Sequence, residues 1–404
     1  MKKMLTTLVC ALALSPTFAP CAQEELSNHD LFERIKHLES RLKTTTMSKI
    51  SGAEVTSEPH AGDRMEALFS NWSERITLRG LVEIEAAYEN INFNKGGKDA
   101  SSDLTLATVE LEIDAELSDI VSSHVLLLWE EDETEPIEID EAFILLDGIA
   151  DAPVWIKAGR MYLPFGNLTS YMITDPLTLE IGETRASAVA VGFNLGGAYA
   201  QAYAFNGDID KAGKDSHIDN FGAQIGYIVV HEGFNLDAGI SYINNLAESD
   251  AWGDEFEDYG GYEMKDYIDG FGAHAVVEVG AFNVIAEFIC ALDKPKYIDE
   301  ETGAIEKRAA VKVWNLEAGY SFGLLGKDTI VALAYQGTRD ADSMLPQGYG
   351  AEDDELAFLP EQRYMAVIGA EVFPYTSLAL EYAHDEYKNN DRADIITMQL
   401  ALEF

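Results

Sequence analysis

The chain is built from short segments in which apolar and polar residues alternate. In the segment 393–404, every second position from 396 onward is apolar, namely Ile396, Met398, Leu400, Leu402 and Phe404, and the positions between them carry Thr397, Gln399, Ala401 and Glu403. A period of two is typical of a β-strand with one apolar side and one polar side. Sixteen such strands are predicted, near 75–88, 103–117, 121–131, 138–147, 153–162, 186–195, 198–206, 218–230, 233–244, 269–279, 281–291, 308–321, 328–337, 361–373, 376–388 and 393–404.

The connections between these segments alternate in length. Joins such as 118–120, 196–197, 231–232 and 374–375 are short, whereas 163–185, 245–268, 292–307 and 338–360 are long and rich in Gly, Asp and Glu. Short turns on one side and long loops on the other are typical of outer-membrane barrels, and closure satisfies every backbone group in lipid. We therefore predict an all-β fold, a transmembrane antiparallel β-barrel of about 16 strands.

The amino-terminal residues predict export to such a membrane. Lys2 and Lys3 precede an apolar run, so residues 1–22 are interpreted as a cleaved signal peptide and the bacterial outer membrane as the destination. Residues 23–48 contain leucine and isoleucine spaced four, three and four apart, which predicts a short coiled-coil arm. The arm either joins a homotrimer or lies as a single amphipathic helix on the barrel. Residues 49–73 are predicted to be a linker, and 74–404 the barrel.

Acidic residues dominate the charge. The chain has 71 Asp and Glu against 28 Lys and Arg, a net charge of −43, which excludes nucleic acid as a natural partner. The excess either forms a solvated surface or lines a lumen that attracts cations. Polar phases place in the lumen Arg79, Glu83, Glu85, Glu110, Glu112, Asp114, Glu116, His124, Glu130, Asn235, Asp237, His274, Glu278, Asn283, Glu287, Asn315, Glu317, Arg363, Glu371 and Glu381.

The long connection at 163–185 has the strongest motif. It follows Gly159-Arg160, and Pro164-Phe165-Gly166 both ends the strand and permits a reversal. We expect this loop either to fold into the lumen and narrow it or to pack over the rim. In the first case its acids oppose basic residues, and such rows select solutes by charge. The acids are Asp175, Glu180 and Glu183, and the bases are Arg79, Arg160, Arg185 and Arg363.

Several of these motifs resemble known porins. Residues 159–166 are similar to an element of trimeric specific porins, and 203–208 to the end of one of their strands. Together with the heptads, 140–143 and 175–185, the chain most resembles the legiobactin-uptake (LbtU-type) siderophore porins. The resemblance implies passive or facilitated passage of a small hydrophilic solute such as a ferric siderophore. The lack of an Arg and Lys ladder departs from the phosphate-selective group.

Other classes of function remain as alternatives. A barrel enzyme needs a nucleophile beside a base, and no motif places a serine beside His124 or His274, so no enzyme activity, cofactor or metal site is predicted. A structural or adhesin barrel is the main rival, because the acidic loop 245–268 could hold Ca²⁺ or bridges to lipopolysaccharide. Outer-membrane lipid and lipopolysaccharide are the expected surroundings in either case.

Overall fold

A computed structural model describes residues 75–404, apart from 132–135, 150–151, 214–217 and 347–358, and it leaves the side chains of 257–259 undescribed. The predicted signal peptide, arm and linker lie outside the described residues. Sixteen antiparallel strands close a barrel within the described part. They are β1 (Ile76–Asn92), β2 (Lys98–Glu116), β3 (Val121–Trp129), β4 (Glu138–Asp147), β5 (Val154–Tyr162), β6 (Arg185–Leu195), β7 (Ala198–Phe205), β8 (Asn220–His231), β9 (Phe234–Ile243), β11 (Gly270–Val279), β12 (Phe282–Ala291), β15 (Lys312–Leu324), β16 (Lys327–Arg339), β17 (Gln362–Phe373), β18 (Thr376–Glu386) and β19 (Arg392–Glu403).

Every predicted alternating segment corresponds to one of these strands, so the predicted fold class is confirmed. In β18, Leu380 and Tyr382 point outward and are nearly half exposed, whereas Glu381 between them is 2% exposed. The same alternation places a belt of Leu, Ile, Val and aromatic side chains on the outside of the barrel. Such a belt is the surface that a transmembrane barrel presents to lipid.

Among the described residues, no helix is long and apolar enough to cross a membrane.

The first and last strands close the barrel. β1 pairs with β19 from Leu81 opposite Glu403 to Asn92 opposite Arg392. Gly80 and Phe404 exchange two backbone hydrogen bonds of 2.8 and 3.0 Å. A Cβ atom on Gly80 would lie 2.4 Å from the Phe404 ring, so the glycine leaves room for that ring. Closure therefore includes side-chain packing as well as the hydrogen-bond ladder.

The two ends of the barrel differ, and we call them the turn end and the loop end. At the turn end, β6 and β7 are joined by Gly196 and Gly197, both with positive φ (60° and 88°). Two successive residues of positive φ are typical of the tightest hairpin turns, and glycine adopts that conformation at little cost. The loop end carries the long connections, as the sequence predicts.

The loops at the loop end form a compact layer that we call the cap. It contains helix α2 (Asp250–Tyr259) and a small sheet of β10 (Tyr262–Met264), β13 (Lys296–Asp299) and β14 (Ile305–Lys307). Trp252, Tyr297 and Met344 are fully buried in its core. The Tyr297 hydroxyl donates to the Met344 carbonyl, which joins two loops that are distant in sequence. The cap was not predicted, since 245–268 was expected to be an acidic loop.

Candidate pore constriction

Residues 163–184, which we call the constriction segment, leave β5 and run across the inside of the barrel before β6 begins. Gly166 donates its N–H to Ser241 Oγ on β9 at 2.9 Å and accepts a bond from Gln224 on β8 at 2.7 Å. Its φ is +75°, and a Cβ atom there would lie 2.8 Å from a Glu287 oxygen. A glycine is therefore needed for both the backbone conformation and the close approach. The segment folds inward, rather than over the rim.

Three glutamates of the opposite wall hold the segment by its backbone. Glu287 on β12 accepts the N–H groups of Asn167 and Leu168 at 2.6 and 3.1 Å. Glu317 on β15 accepts the Ser170 hydroxyl and the Tyr171 N–H, both at 2.7 Å. These hydrogen bonds to a charged acceptor are stronger than bonds between neutral groups.

The third glutamate continues the pattern. Glu381 on β18 accepts the N–H groups of Ile173 and Thr174 at 2.5 and 3.2 Å and the Thr174 hydroxyl at 2.7 Å. The segment therefore meets a carboxylate about every third residue, each from a different strand. The sequence correctly predicts that all three glutamates point inward. It does not predict that they would be buried as anchors, because they were expected to face lumen water.

The segment ends in a short helix, α1 (Leu177–Gly182), whose residues are all buried. Leu177 donates its N–H to Gln336 of β16 at 3.0 Å. Leu177 and Ile181 belong to an apolar cluster that continues into the cap, which includes Trp252. The burial of these side chains fixes α1, and with it the acidic residues that α1 carries.

The three acids predicted for the segment lie on it, in the interior. Glu180 and Glu183 are 6% and 3% exposed, and Asp175 is half-buried. Burial, and then the charges of neighbouring carboxylates, raise the pKa of Asp175 and Glu183 well above the ordinary value. Neither oxygen of Glu183 has a hydrogen-bond partner among the described residues.

Arg363 and Arg185 lie close to the segment, but each is engaged by wall carboxylates. Arg363 forms two hydrogen bonds of 2.8 Å to Asp385 and also reaches the Asp175 carbonyl at 3.4 Å. The Arg185 guanidinium contacts Asp140 and lies 3.3 Å from Glu138. These bases therefore help position the segment instead of facing its acids across an open gap.

Arg79 belongs to a separate group near the turn end. It donates to Glu112 at 2.5 Å and to Asp114 at 2.9 Å, and His124 Nδ1 lies 2.9 Å from Asp114. Two members of the predicted acidic ladder on β2 are thus paired. Glu110, which lies farther from the turn end on the same strand, is buried. The expected row of Arg79 and Arg363 on one wall opposite the segment is not formed.

Arg160 was predicted to line the lumen, and the structure places it on the outside. It is exposed and shares the outward phase of β5 with Ala158, whereas Met161 next to it is 1% exposed. Lys157 sets the inward phase, because its amine lies 3.8 Å from Glu141 and over the Phe143 ring. The prediction failed because alternation along β5 requires residues 158 and 160 to face opposite Lys157.

A cavity of about 170 Å³ lies between the segment and the facing wall of β1, β18 and β19. Its lining includes Glu83, Tyr162, Asp175, Glu183, Thr184 and Gln399. No Lys, Arg or His is found among its described lining residues. The cavity is consequently acidic.

The cap is joined to the segment through Asp250 at the start of α2. Its N–H donates to the Glu183 carbonyl at 2.9 Å, and its carboxylate accepts the Arg185 N–H at 3.0 Å. Burial raises the pKa of Asp250 to about 7. Asp250 is therefore a structural contact between the cap and the segment, and the Ca²⁺ site considered for loop 245–268 stays a prediction.

The fold defined by these strands and this inward segment is that of a porin-type barrel. It is similar to the outer membrane channel DcaP of Acinetobacter baumannii, with a TM-score of 0.54 and 14% identity over 81% of this chain and 97% of that one. It is also similar to an anion-selective porin from Comamonas acidovorans, with a TM-score of 0.54 and 13% identity over 81% and 99%. OprB of Pseudomonas putida gives a TM-score of 0.54 and 12% identity over 85% and 96%.

Comparison of the amino-acid sequence gives relatives of low identity. No family model matches the chain. A UPF0422 protein of Coxiella burnetii is 26% identical over 320 residues, 77% of this chain and 64% of that protein. A UPF0422 protein of Legionella pneumophila (strain Paris) is 23% identical over 337 residues, 77% of this chain and 59% of that protein. The chain thus spans about three fifths of the length of the curated relatives it matches.

These likenesses agree with the broad resemblance to porins. Neither relative carries a description as a siderophore porin, so the narrower resemblance stays a prediction.

Proposed function

We propose that the chain is an outer-membrane porin that lets a small hydrophilic solute diffuse passively or by facilitated diffusion. The observation that carries the proposal is the anchored constriction segment: three glutamates on three strands hold its backbone across the interior of the barrel. A structural barrel has no need of a narrowed lumen. The porin-type fold adds support.

The solute is proposed to meet an acidic surface at the narrowest part. Glu83, Asp175 and Glu183 line the remaining cavity, and the nearby guanidinium groups are paired with other carboxylates. Fixed charges in a narrow, water-poor opening favour solutes of opposite sign. Cations, or solutes with a cationic group, should therefore pass more readily than anions.

Single-channel recording in a planar bilayer tests this function. The purified full chain should produce discrete conductance steps, and the reversal potential in a salt gradient should indicate cation preference, most clearly at low ionic strength. A folded barrel without conductance would favour the structural or adhesin function instead. A ferric siderophore, suggested by the sequence resemblance, should reduce the ionic current if it is the natural solute.

We also propose that the chain assembles as a homotrimer through residues 23–48. The support is the heptad spacing of Leu31, Ile35, Leu38 and Leu42 beside a porin-type barrel. Deleting 24–48 should convert trimers to monomers on native gels without loss of the folded barrel. A trimer that survives the deletion would contradict this role of the arm.

A further inference from the structure

The cavity between the constriction segment and the wall contains a buried carboxylate without a counter-ion. Glu183 is 3% exposed, and neither of its carboxylate oxygens has a hydrogen-bond partner among the described residues. The adjacent Thr184 is also 3% exposed, and its hydroxyl is without a partner in the same part of the chain. Both side chains line the cavity. A buried charge is costly unless a charged or hydrogen-bonding group compensates it.

The position of Glu183 is fixed by its own backbone. Its N–H donates to the Leu179 carbonyl at 2.9 Å, and its carbonyl accepts the Asp250 N–H at 2.9 Å. These two bonds hold the backbone of residue 183 at the wall of the cavity. Arg185 follows directly in sequence, but its guanidinium is engaged by Asp140 and Glu138.

The lining of the cavity is acidic and includes no positive charge from the described part of the chain. Glu83 and Asp175 line it together with Glu183, and its described lining includes no basic residue. Burial and the neighbouring charges of Asp250 and Asp175 raise the pKa of Glu183, as expected for a carboxyl group that lacks its counter-charge. A cation that entered the cavity would relieve both effects.

The spacing of the carboxylates indicates what kind of cation. Among the described residues, the only trio of acidic, His or Cys side chains with ligand atoms within 4.8 Å of one another is Glu112, Asp114 and His124. That trio is elsewhere, and Arg79 donates to both of its carboxylates. Glu83, Asp175 and Glu183 are thus too far apart to surround one metal ion. We therefore take separated ammonium groups, rather than one metal ion, as the positive charge to consider for this cavity.

The size of the cavity is consistent with a small organic molecule. A water molecule occupies about 30 Å³ in the liquid, so a cavity of about 170 Å³ has room for several non-hydrogen atoms. Tyr162, Thr184 and Gln399 supply further polar atoms to the lining.

We propose that this cavity is a binding subsite for a small organic cation with primary ammonium groups, with Glu183 as the main counter-ion and Asp175 and Glu83 as further carboxylates. The proposal deepens the porin function and rests on it for the route by which the cation arrives. It assigns the solute class as aliphatic diamines rather than metal ions. Binding itself needs no conduction and can be measured separately.

The test is calorimetric titration of the folded full chain in detergent at pH 8 and low salt, with 1,5-diaminopentane as the probe. We expect saturable binding to one site per chain. Glu183→Gln should weaken the affinity at least tenfold, and Asp175→Asn should weaken it less. The matched control is Glu371→Gln, because Glu371 is an inward carboxylate of β17 that does not line the cavity. Its affinity should equal that of the parent.

Several results would overturn the subsite. They are the absence of diamine binding to the parent, equal binding to Glu183→Gln, equal binding of the uncharged 1,5-pentanediol, or a tighter, Glu183-dependent binding of Ca²⁺. If Glu183→Gln does not fold, Asp175→Asn decides the question by the same comparison with Glu371→Gln. Binding by a barrel that does not conduct would keep the subsite and reject the porin function. Conduction without diamine binding would keep the porin function and reject the subsite.

Discussion

Removing one anchor of the constriction segment should make the pore open more widely and more often. Glu381→Ala takes the acceptor from three donors of the segment, the N–H groups of Ile173 and Thr174 and the Thr174 hydroxyl. Hydrogen bonds to a charged group contribute about 1.5–3 kcal/mol each, and lumen water will replace part of that. Three bonds at the lower value, less the part that water replaces, mean that the variant loses about 4 kcal/mol of the free energy that holds the segment in place.

That loss changes a population that can be recorded. Since about 1.4 kcal/mol corresponds to a factor of ten, the detached segment should become about a thousandfold more frequent. Glu317 and Glu287 still hold the segment nearer to β5, and α1 stays fixed by Gln336 and its buried side chains, so only the stretch around Ile173 and Thr174 should be released. Single-channel records should then show brief steps to a higher conductance that are rare in the parent.

The matched control for this variant is Glu371→Ala. Both residues are inward glutamates on neighbouring strands, but Glu371 has no hydrogen bond to the segment within the described residues. The two variants therefore remove the same charge, and only one removes an anchor. Equal records from Glu381→Ala and Glu371→Ala would refute the anchoring role, and so would a Glu381→Ala channel identical to the parent.

Three further outcomes follow from the same geometry. Burial raises the pKa of Asp250 from 3.8 to about 7, so the folded state favours its neutral form and loses stability as pH rises from about 4 to 7. Asp250→Asn should consequently raise the free energy of unfolding at pH 8 by up to about 4 kcal/mol. On gels this should appear as a higher heat-unfolding temperature at pH 8 and an unchanged one near pH 4. Gly166→Ala brings a Cβ atom 2.8 Å from Glu287 at a φ of +75°, and should displace the segment, which noisier current in bilayer recordings would reveal; a current like the parent's would contradict this. A cysteine replacing Asp254 in the cap should react with an impermeant maleimide on intact cells, and one replacing Glu232 at the turn end should not, whereas the reverse pattern would contradict the topology.

The barrel was predictable because alternation is a local property. Each strand faces lipid on one side and the interior on the other, so a period of two is required at every strand, as in Leu380-Glu381-Tyr382 of β18. Strand ends differ from the prediction by a few residues where ladders extend past the belt. For example, β2 begins at Lys98, five residues before the predicted start.

The cap could not be predicted in the same way. Helix α2 carries five acidic residues in ten, which locally indicates a solvated loop. Its fold depends on Trp252 meeting Tyr297 and Met344, which come from three different loops. No periodicity in one loop encodes contacts with two others, so the cap depends on tertiary packing alone.

The constriction was predictable in part. Pro164 and Gly166 indicated the reversal, and the inward phase of Glu287, Glu317 and Glu381 was correct. The partners of each charge were not predictable, because phase gives the side of a strand and not the path of a loop on that side. The position of Arg160 is set by the phase of β5 instead, because Met161 next to it faces inward and Arg160 therefore faces outward.

The total charge of −43 is a poor guide to the charge that a passing solute meets. The glutamates at 287, 317 and 381 are compensated by backbone N–H groups of the segment. Glu112 and Asp114 are paired with Arg79. Among the described acids, Glu183 stands apart, because it is buried in the lining of the cavity and neither of its oxygens has a hydrogen-bond partner. Selectivity should therefore be set by the carboxylates that line the cavity at the segment, Glu183 above all, and not by the number of acids in the chain.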